Sequence, residues 1–227
     1  MIDLISVENM RQSDAATIAS GVPGVTLMGR AARGIYDSSA KWQSAKSINI
    51  VTGSGNNGGD GFALAEILSG HNLPVKVLTL SEKTTPDAGF YKNNILSAGV
   101  PVMPFEEGSL AGSDIIVDCM LGTGFAGSPR ENYAKAISAI NRERDNGAYV
   151  ISADINSGMN GDTGEYEICV ISDLTVTIGY LKKGLISPSA RKATGRIAVA
   201  DIGIALSYTE DKIDESEYGI ELISARI

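Results

Sequence analysis

A single histidine, His71, two cysteines and one tryptophan mark the scarce residues of this 227-residue chain, and the scarcities narrow its chemistry. With the one histidine expected at the end of the 61–70 helix, where it complements the helix dipole, neither a histidine-based triad nor zinc held by imidazoles is expected. Cys119 and Cys169 stand far apart in apolar stretches, without metal-ligand spacing or the density of a secreted disulfide framework, and read as reduced core residues. No run approaches the ~18 apolar residues needed to span a bilayer. The opening MIDLISVENMR lacks a basic segment followed by an apolar one, so the expectation is a soluble, cytoplasmic protein with no membrane partner. Basic residues are also short, 19 Lys and Arg against 27 Asp and Glu, and the net charge of -8 argues against a non-specific nucleic-acid surface.

Glycine is the residue in excess. The 26 glycines follow no collagen-like period and belong where the backbone turns tightly or approaches a ligand. A hydrophobic content of 43% with 20% charged residues is an ordinary globular mix. With no internal repeat, low-complexity stretch or long Pro/Gly/Ser linker, residues 1–227 are expected to form one domain. Residues 206–227 carry half of the net charge: Glu210, Asp211, Asp214, Glu215, Glu217 and Glu221 against Lys212 and Arg226. That acidic C-terminal tail reads as a solvated, loosely held terminus or, alternatively, a docking segment.

After residue 46, short β-branched runs alternate with polar or glycine-rich turns and helical stretches. Strands are expected at 47–52, 74–80, 114–118, 148–154, 173–179 and 196–203, with another at 100–105. Helices at 61–68 and 131–143 cover them. Several strands are apolar almost throughout, as strands buried on both faces must be. The fold class is therefore α/β: a Rossmann-like, doubly wound, mostly parallel sheet flanked by helices. Residues 8–45 read as an N-terminal helical extension, with Ser13 as a candidate cap and an interruption at Gly21–Gly24.

In such sheets ligands bind outside the carboxyl ends of the strands. The segment after the first of these strands, GSGNNGGDG, holds Gly53, Gly55 and Gly58 in G-x-G-x-x-G spacing between strand and helix, where bare amides can cradle a pyrophosphate. It lacks the Lys-Ser/Thr ending of a P-loop. Asp60, Asp118 and Asp154 are placed toward one rim, with Asn57 and Ser157 near them; each aspartate alone also reads as a helix cap or turn residue. Such hard oxygen donors suit an alkali or alkaline-earth cation. Acid–base candidates are Asp154 and the lysines of YLKKG, Lys182 and Lys183. Arg130, closing a glycine-bare loop, either meets a ligand phosphate or pairs with Glu131 or another carboxylate.

Taken in order, GSGNNGGDGFALA (53–65), DCMLGTGFAGSPR (118–130), SADINSGMNGDTG (152–164), DLTVTIGYLKKG (173–184) and GRIAVADIGI (195–204) resemble the NAD(P)HX epimerase, or YjeF N-terminal domain, family. MRQSDAATIASGVPGVTLMGRAA near the start extends the likeness. The resemblance implies an isomerase of cofactor repair, converting the R and S forms of the C6 hydroxyl of hydrated NADH or NADPH. It implies a dinucleotide pocket made by Asn56, Asn57, Gly58, Gly59 and Asp60 together with Gly122, Thr123, Gly124, Phe125, Ala126, Gly127 and Ser128. Asp154 would contact the hydrated nicotinamide, and Asn57, Asp118 and Ser157 would bind a potassium ion. Asp154 and Lys182 would be the catalytic proton-transfer pair. A homodimer is implied too, as is coupling to an ADP- or ATP-dependent dehydratase, fused in many bacteria; residues 206–227 would then be a linker. Three departures touch the pattern: Asn156 where the family has proline, Tyr180-Leu181 for Ala-Pro, and no acidic or amide residue around Gly29-Arg30. Two rivals are a non-catalytic ligand-binding or dimerisation module of the same fold, and an NAD-dependent oxidoreductase using the glycine loop with Glu82.

Overall fold

The computed structural model describes residues 1–226. The chain opens with strand β1 (Ile2–Ile5), followed by helices α1 (Val7–Ala19) and α2 (Gly24–Asp37). There follow β2 (Ile48–Thr52), α3 (Asn56–Gly70), β3 (Val75–Thr79), α4 (Pro86–Ser97), β4 (Val102–Pro104) and β5 (Ile115–Cys119). Helix α5 (Glu131–Asp145) leads to β6 (Tyr149–Ala153), β7 (Leu174–Ile178) and the two-residue β8 (Leu181–Lys182). The chain continues through β9 (Arg196–Asp201), β10 (Asp211–Ile213), the short α6 (Glu215–Tyr218) and β11 (Glu221–Ser224).

Eight strands form one sheet in the order β11-β9-β7-β6-β5-β2-β3-β4, and every neighbouring pair is parallel. The chain runs outward from β2 to β3 and β4, then returns to place β5 and β6 on the other side of β2. The order therefore reverses between β2 and β5, where a doubly wound sheet opens a crevice.

The continuous apolar runs conceal two faces with the strand period of two. Ile48 and Ile50 of β2, Val75 and Val77 of β3, and Ile115 and Val117 of β5 enter one core with Leu27, Met28 and Ile35 of α2, Phe62 and Leu64 of α3, and Ile95 of α4. Val51, Leu78, Ile116 and Val150 point the other way, onto Ala136, Ile137 and Ile140 of α5. Both cysteines are free and buried, as expected. Among the described residues no helix is long and apolar enough to cross a membrane.

The termini differ from the sequence reading. Ser6, not Ser13, caps α1: its side chain accepts from the Asn9 N–H, as an N-cap does. Ser13 lies buried within the helix, and its hydroxyl accepts from the Ser207 N–H at 2.9 Å, while Thr17 accepts from that of Ala205 at 3.0 Å. α1 thereby grips the chain just before the acidic segment. That segment is built in, not loosely held: β10 pairs antiparallel with β1, and β11 extends the main sheet beside β9. β1, β10 and β8 form a second, three-stranded sheet, which no motif announced because each strand is so short.

Glu210 fastens these pieces. One carboxylate oxygen accepts from both the backbone N–H (3.0 Å) and the hydroxyl (2.7 Å) of Ser6, and the other pairs with Lys183 Nζ at 2.6 Å. Partial burial opposes ionisation of Glu210, but the hydrogen bonds from Lys183 and Ser6 outweigh it and bring the carboxyl down to about 2. A depressed carboxyl stabilises the fold above its unfolded pKa, ~4.3, and that contribution is lost as pH falls toward 2. Glu210→Gln should therefore cost about 1–2 kcal/mol at pH 7, after allowance for solvent screening, and only a small part of that at pH 2, where half of the carboxyl is protonated. Urea denaturation of both proteins at the two pH values measures this; a cost that is equal at both would reject the pairing as its source.

Candidate active site

A cleft of about 730 Å³ opens at the carboxyl ends of β2, β5 and β6, at the reversal of strand order. Its floor begins with the glycine-rich segment. The free loop is shorter than expected, because Asn56 already starts α3 and Gly55 is its N-cap, so Asn56 and Asn57 present unbonded helix amides at the crevice. The spacing of glycines has separable causes. A Cβ on Gly58 would collide with the Gly53 carbonyl, and one on Gly61 would meet Thr52, Ile50 and Cys119, holding α3 off the sheet.

Asp154 follows β6 in a left-handed conformation, φ 66°, unusual outside glycine and a local strain that the surroundings must hold. Its N–H donates to the Val176 carbonyl at 2.8 Å. Its Oδ1 accepts from Lys182 Nζ at 2.6 Å, and its Oδ2 from the Thr123 N–H at 3.2 Å. Lys182 is fully buried, and its other two donors go to the Ile178 carbonyl (2.6 Å) and the Thr177 hydroxyl (3.1 Å). A buried ammonium with three acceptors, one of them a carboxylate, meets the condition for keeping an ion pair out of water. A Cβ on Gly122 would press on Asp154 Oδ2 and on the Asn57 side chain, so that glycine lets the three segments meet.

Beneath the cleft, Asp118 accepts from the Ser157 N–H and hydroxyl, the Met120 N–H and the Ser152 hydroxyl, and Ser157 Oγ in turn accepts from the Leu121 N–H. Burial raises the Asp118 carboxyl to about 6 against the opposing pull of these bonds. Asn57 is 9% exposed, and neither its amide oxygen nor its nitrogen has a partner among the described residues. Among the described residues no group of three or more His, Cys, Asp and Glu side chains is placed to hold a metal ion. Any cation held here must instead use amide, hydroxyl and carboxylate oxygens of the Asn57, Asp118 and Ser157 kind.

Asn56, Asn57, Asp60, Gly122, Thr123, Gly124, Phe125, Ala126, Asp154 and Lys182 all line the cleft. Gly58, Gly59, Gly127 and Ser128 lie outside its lining: Gly59 packs on Met28 and Ala88, and the Ser128 hydroxyl donates to Glu167. Of the three aspartates expected on one rim, Asp60 and Asp154 reach the cleft and Asp118 is buried below it. Arg130 lines the cleft, and Glu131, its alternative partner, is taken by Lys135 at 2.7 Å. Lys183 points away, to Glu210 and Asp211. Glu82 is exposed and outside the lining. His71 follows the last turn of α3 and stacks on Tyr36.

The sequence reading missed one wall altogether. Met10, Arg11, Asp14 and Ile18 of α1 face the cleft, and Arg11 donates to the Thr123 carbonyl at 2.5 Å. Their i, i+1, i+4, i+8 spacing was the available signal. The three departures also have structural explanations. Asn156 turns into the core, donating to Val170 O, Ser172 Oγ and Ala193 O and accepting from Thr175. Tyr180 reaches the Ile204 carbonyl at 2.9 Å, and Leu181 is fully buried. At Gly29 the Tyr91 hydroxyl occupies the space a Cβ would need, and donates to the Val25 carbonyl.

The family model for the YjeF-related protein N-terminus matches residues 24–184. An NAD(P)H-hydrate epimerase of Levilactobacillus brevis is 31% identical over 95% of this chain and 100% of its own. The bifunctional NAD(P)H-hydrate repair enzyme Nnr of Archaeoglobus fulgidus is 36% identical over 91% of this chain but 43% of its own, so the chain spans less than half of that relative. The crystal structure of yeast ynu0 superposes with a TM-score of 0.77 over 96% of this chain and 98% of the other, at 18% identity, and supports the fold.

Because Asn156 satisfies four buried groups, Asn156→Ala should destabilise the protein by about 2–3 kcal/mol. The family-like Asn156→Pro should be no better, since Val170 O and Ser172 Oγ lose the same donor. Denaturant melts of both variants check this; a loss under about 0.5 kcal/mol, the range of ordinary surface changes, would remove the network from the account.

Proposed function

The chain belongs to the YjeF-related protein N-terminus family, and on that premise we propose that it epimerises the C6 hydroxyl of hydrated NADH and NADPH, converting the R to the S form in nicotinamide cofactor repair. The observation that carries the reading is the buried Lys182–Asp154 pair at the carboxyl end of β6, opening into a cleft that a helix N-terminus also faces. The whole-length likeness to the Levilactobacillus brevis epimerase supports the same reading.

The dinucleotide lies across the crevice. Its pyrophosphate meets the free amides of Asn56 and Asn57 and the bare backbone of residues 122–126, with Arg130 at the rim. The hydrated nicotinamide goes to Asp154. The Lys182–Asp154 pair lends a proton to the C6 oxygen through the Asp154 carboxylate, the C6–O bond breaks with its electrons on the departing water, and the N1 lone pair forms N1=C6. That ring carbon is planar, so stereochemistry is lost. Water re-adds from either face, and its proton returns to the pair. Lys182, with no surface of its own, acts through Asp154.

Asn57, Asp118 and Ser157 would hold a potassium ion, whose fixed positive charge would favour anionic groups nearby. The unpartnered Asn57 amide oxygen supports this assignment. The family reading carries with it a homodimer, a cytoplasmic setting and functional coupling to a dehydratase, a coupling that the bifunctional relatives support.

Incubating R-form NADHX with the protein, followed by chromatography that resolves the epimers, tests the activity. Conversion should exceed the spontaneous rate, and Asp154→Asn should lower it by about 100-fold or more with the fold intact. Full activity in that variant would sink the assignment. For the cation, thermal melts in potassium chloride and in N-methylglucamine chloride should differ by about 1–3 kcal/mol in favour of potassium, and Asn57→Ala should abolish the difference. An undiminished potassium effect in Asn57→Ala would take Asn57 out of the ligand set.

A further inference from the structure

We propose that Asp14, on the wall contributed by α1, is a further residue of the reaction: its carboxylate, backed by Asp60, supplies the negative charge that stabilises the positively charged planar ring. The proposal deepens the epimerase reading and rests on it for the identity of the ring.

Four carboxylates line the cleft, Asp14, Asp60, Asp87 and Asp154, against three basic side chains, Arg11, Arg130 and Lys182. Their pairings leave a local excess. Lys182 is committed to Asp154, Arg11 is exposed and bound to the Thr123 carbonyl, and Arg130 stands at the start of α5. Among the described residues, neither the Asp14 nor the Asp60 carboxylate takes part in a hydrogen bond or an ion pair, although both face the cavity. Beside them the Asn57 amide, nine-tenths buried and unpartnered, lines the same cavity. Unpaired polar groups in a preformed cleft have a cost that a complementary ligand relieves.

Burial raises the Asp14 carboxyl above its ordinary value, and the charge of Asp154 raises it further while Lys182 opposes. Asp60 is pushed well above, by burial first and then by Asp154 and Asp14. Both carboxyls are thus held above their ordinary values, Asp60 the more strongly, and the two face one cavity with no cation committed to either. The substrate ring is neutral. When the C6–O bond breaks and the N1 lone pair enters N1=C6, the ring gains a positive charge, the only point in the reaction at which an anion beside it is rewarded. An interaction made there and not with the bound substrate raises kcat without tightening KM.

The pyridinium of NAD+ carries the ring charge that NADH lacks, so the two dinucleotides probe the same charge without turnover. Calorimetric titration of the full chain should show NAD+ bound at least threefold more tightly than NADH, and Asp14→Asn should bring the ratio near one. In the epimerase assay Asp14→Asn should lower kcat about tenfold with KM within twofold, while the charge-preserving Asp14→Glu stays within threefold of the wild type. Asp14→Ser serves as a second charge-removing variant, and circular dichroism confirms that each is folded. No preference for NAD+ in the wild type, or a preference and kcat unchanged in both Asp14→Asn and Asp14→Ser, would overturn the proposal. A wild type that prefers NAD+ through Asp14 but does not epimerise would refute the proposed activity and leave the charge recognition standing.

Discussion

The buried ion pair between Lys182 and Asp154 is the constraint on which the other parts of this structure converge. Its two members come from elements of different sheets: Asp154 directly follows β6 of the eight-stranded sheet, and Lys182 belongs to β8 in the three-stranded one, paired across to Ile5 of β1. Two charges removed from water would be costly if either lost its partner, so the small sheet must sit where it does. The N-terminal strand, Glu210 with its hold on Ser6 and Lys183, and strand β10 fix that small sheet. An acidic segment far along the sequence thus helps to position a lysine in the cleft.

Around the pair, close backbone approach sets the geometry. Gly122 leaves room for the Asp154 and Asn57 side chains, Gly58 for the turn onto Gly53, and Gly61 for α3 to lie against β2 and β5. The result places helix amides, a strained aspartate and an unpartnered amide side chain in one cavity. Charge is distributed unevenly there: the one deeply buried base among the described residues is already committed to Asp154, and the α1 wall adds Asp14 together with Arg11, whose guanidinium is bound to the Thr123 carbonyl. On the proposed function, such a site would favour positive charge arising at the ring and would offer amides and Arg130 to the phosphates.

The departures from the family pattern show how a local change can be absorbed. An asparagine in place of proline brings an N–H and a side-chain amide into the core, and the serine and threonine hydroxyls of Ser172 and Thr175, with two carbonyls, take up the amide. Tyr180 and Tyr91 each fill a space and end on a backbone carbonyl. These residues shape the shell behind the site while the cleft retains Asp154 and Lys182.

The sequence by itself determined the parallel sheet, because strands buried on both faces must be apolar throughout and helices must separate them. It also determined the glycine loop, Asp154, Lys182 and the oxygen-rich set of Asn57, Asp118 and Ser157, since these lie in motifs that are contiguous along the chain. Tertiary structure alone decided the rest. The pairing of β1 with β8 and β10 joins residues about 200 positions apart through strands of two to four residues, too short to leave a periodic signal. The different partners of Lys182 and Lys183 followed from the end of β8, where one lysine turns inward to Asp154 and its neighbour outward to Glu210. The α1 wall, with Asp14 and Arg11, entered the site only because that helix packs over the cleft. Proximity in space, which no spacing along the chain encodes, made those residues part of the same chemistry.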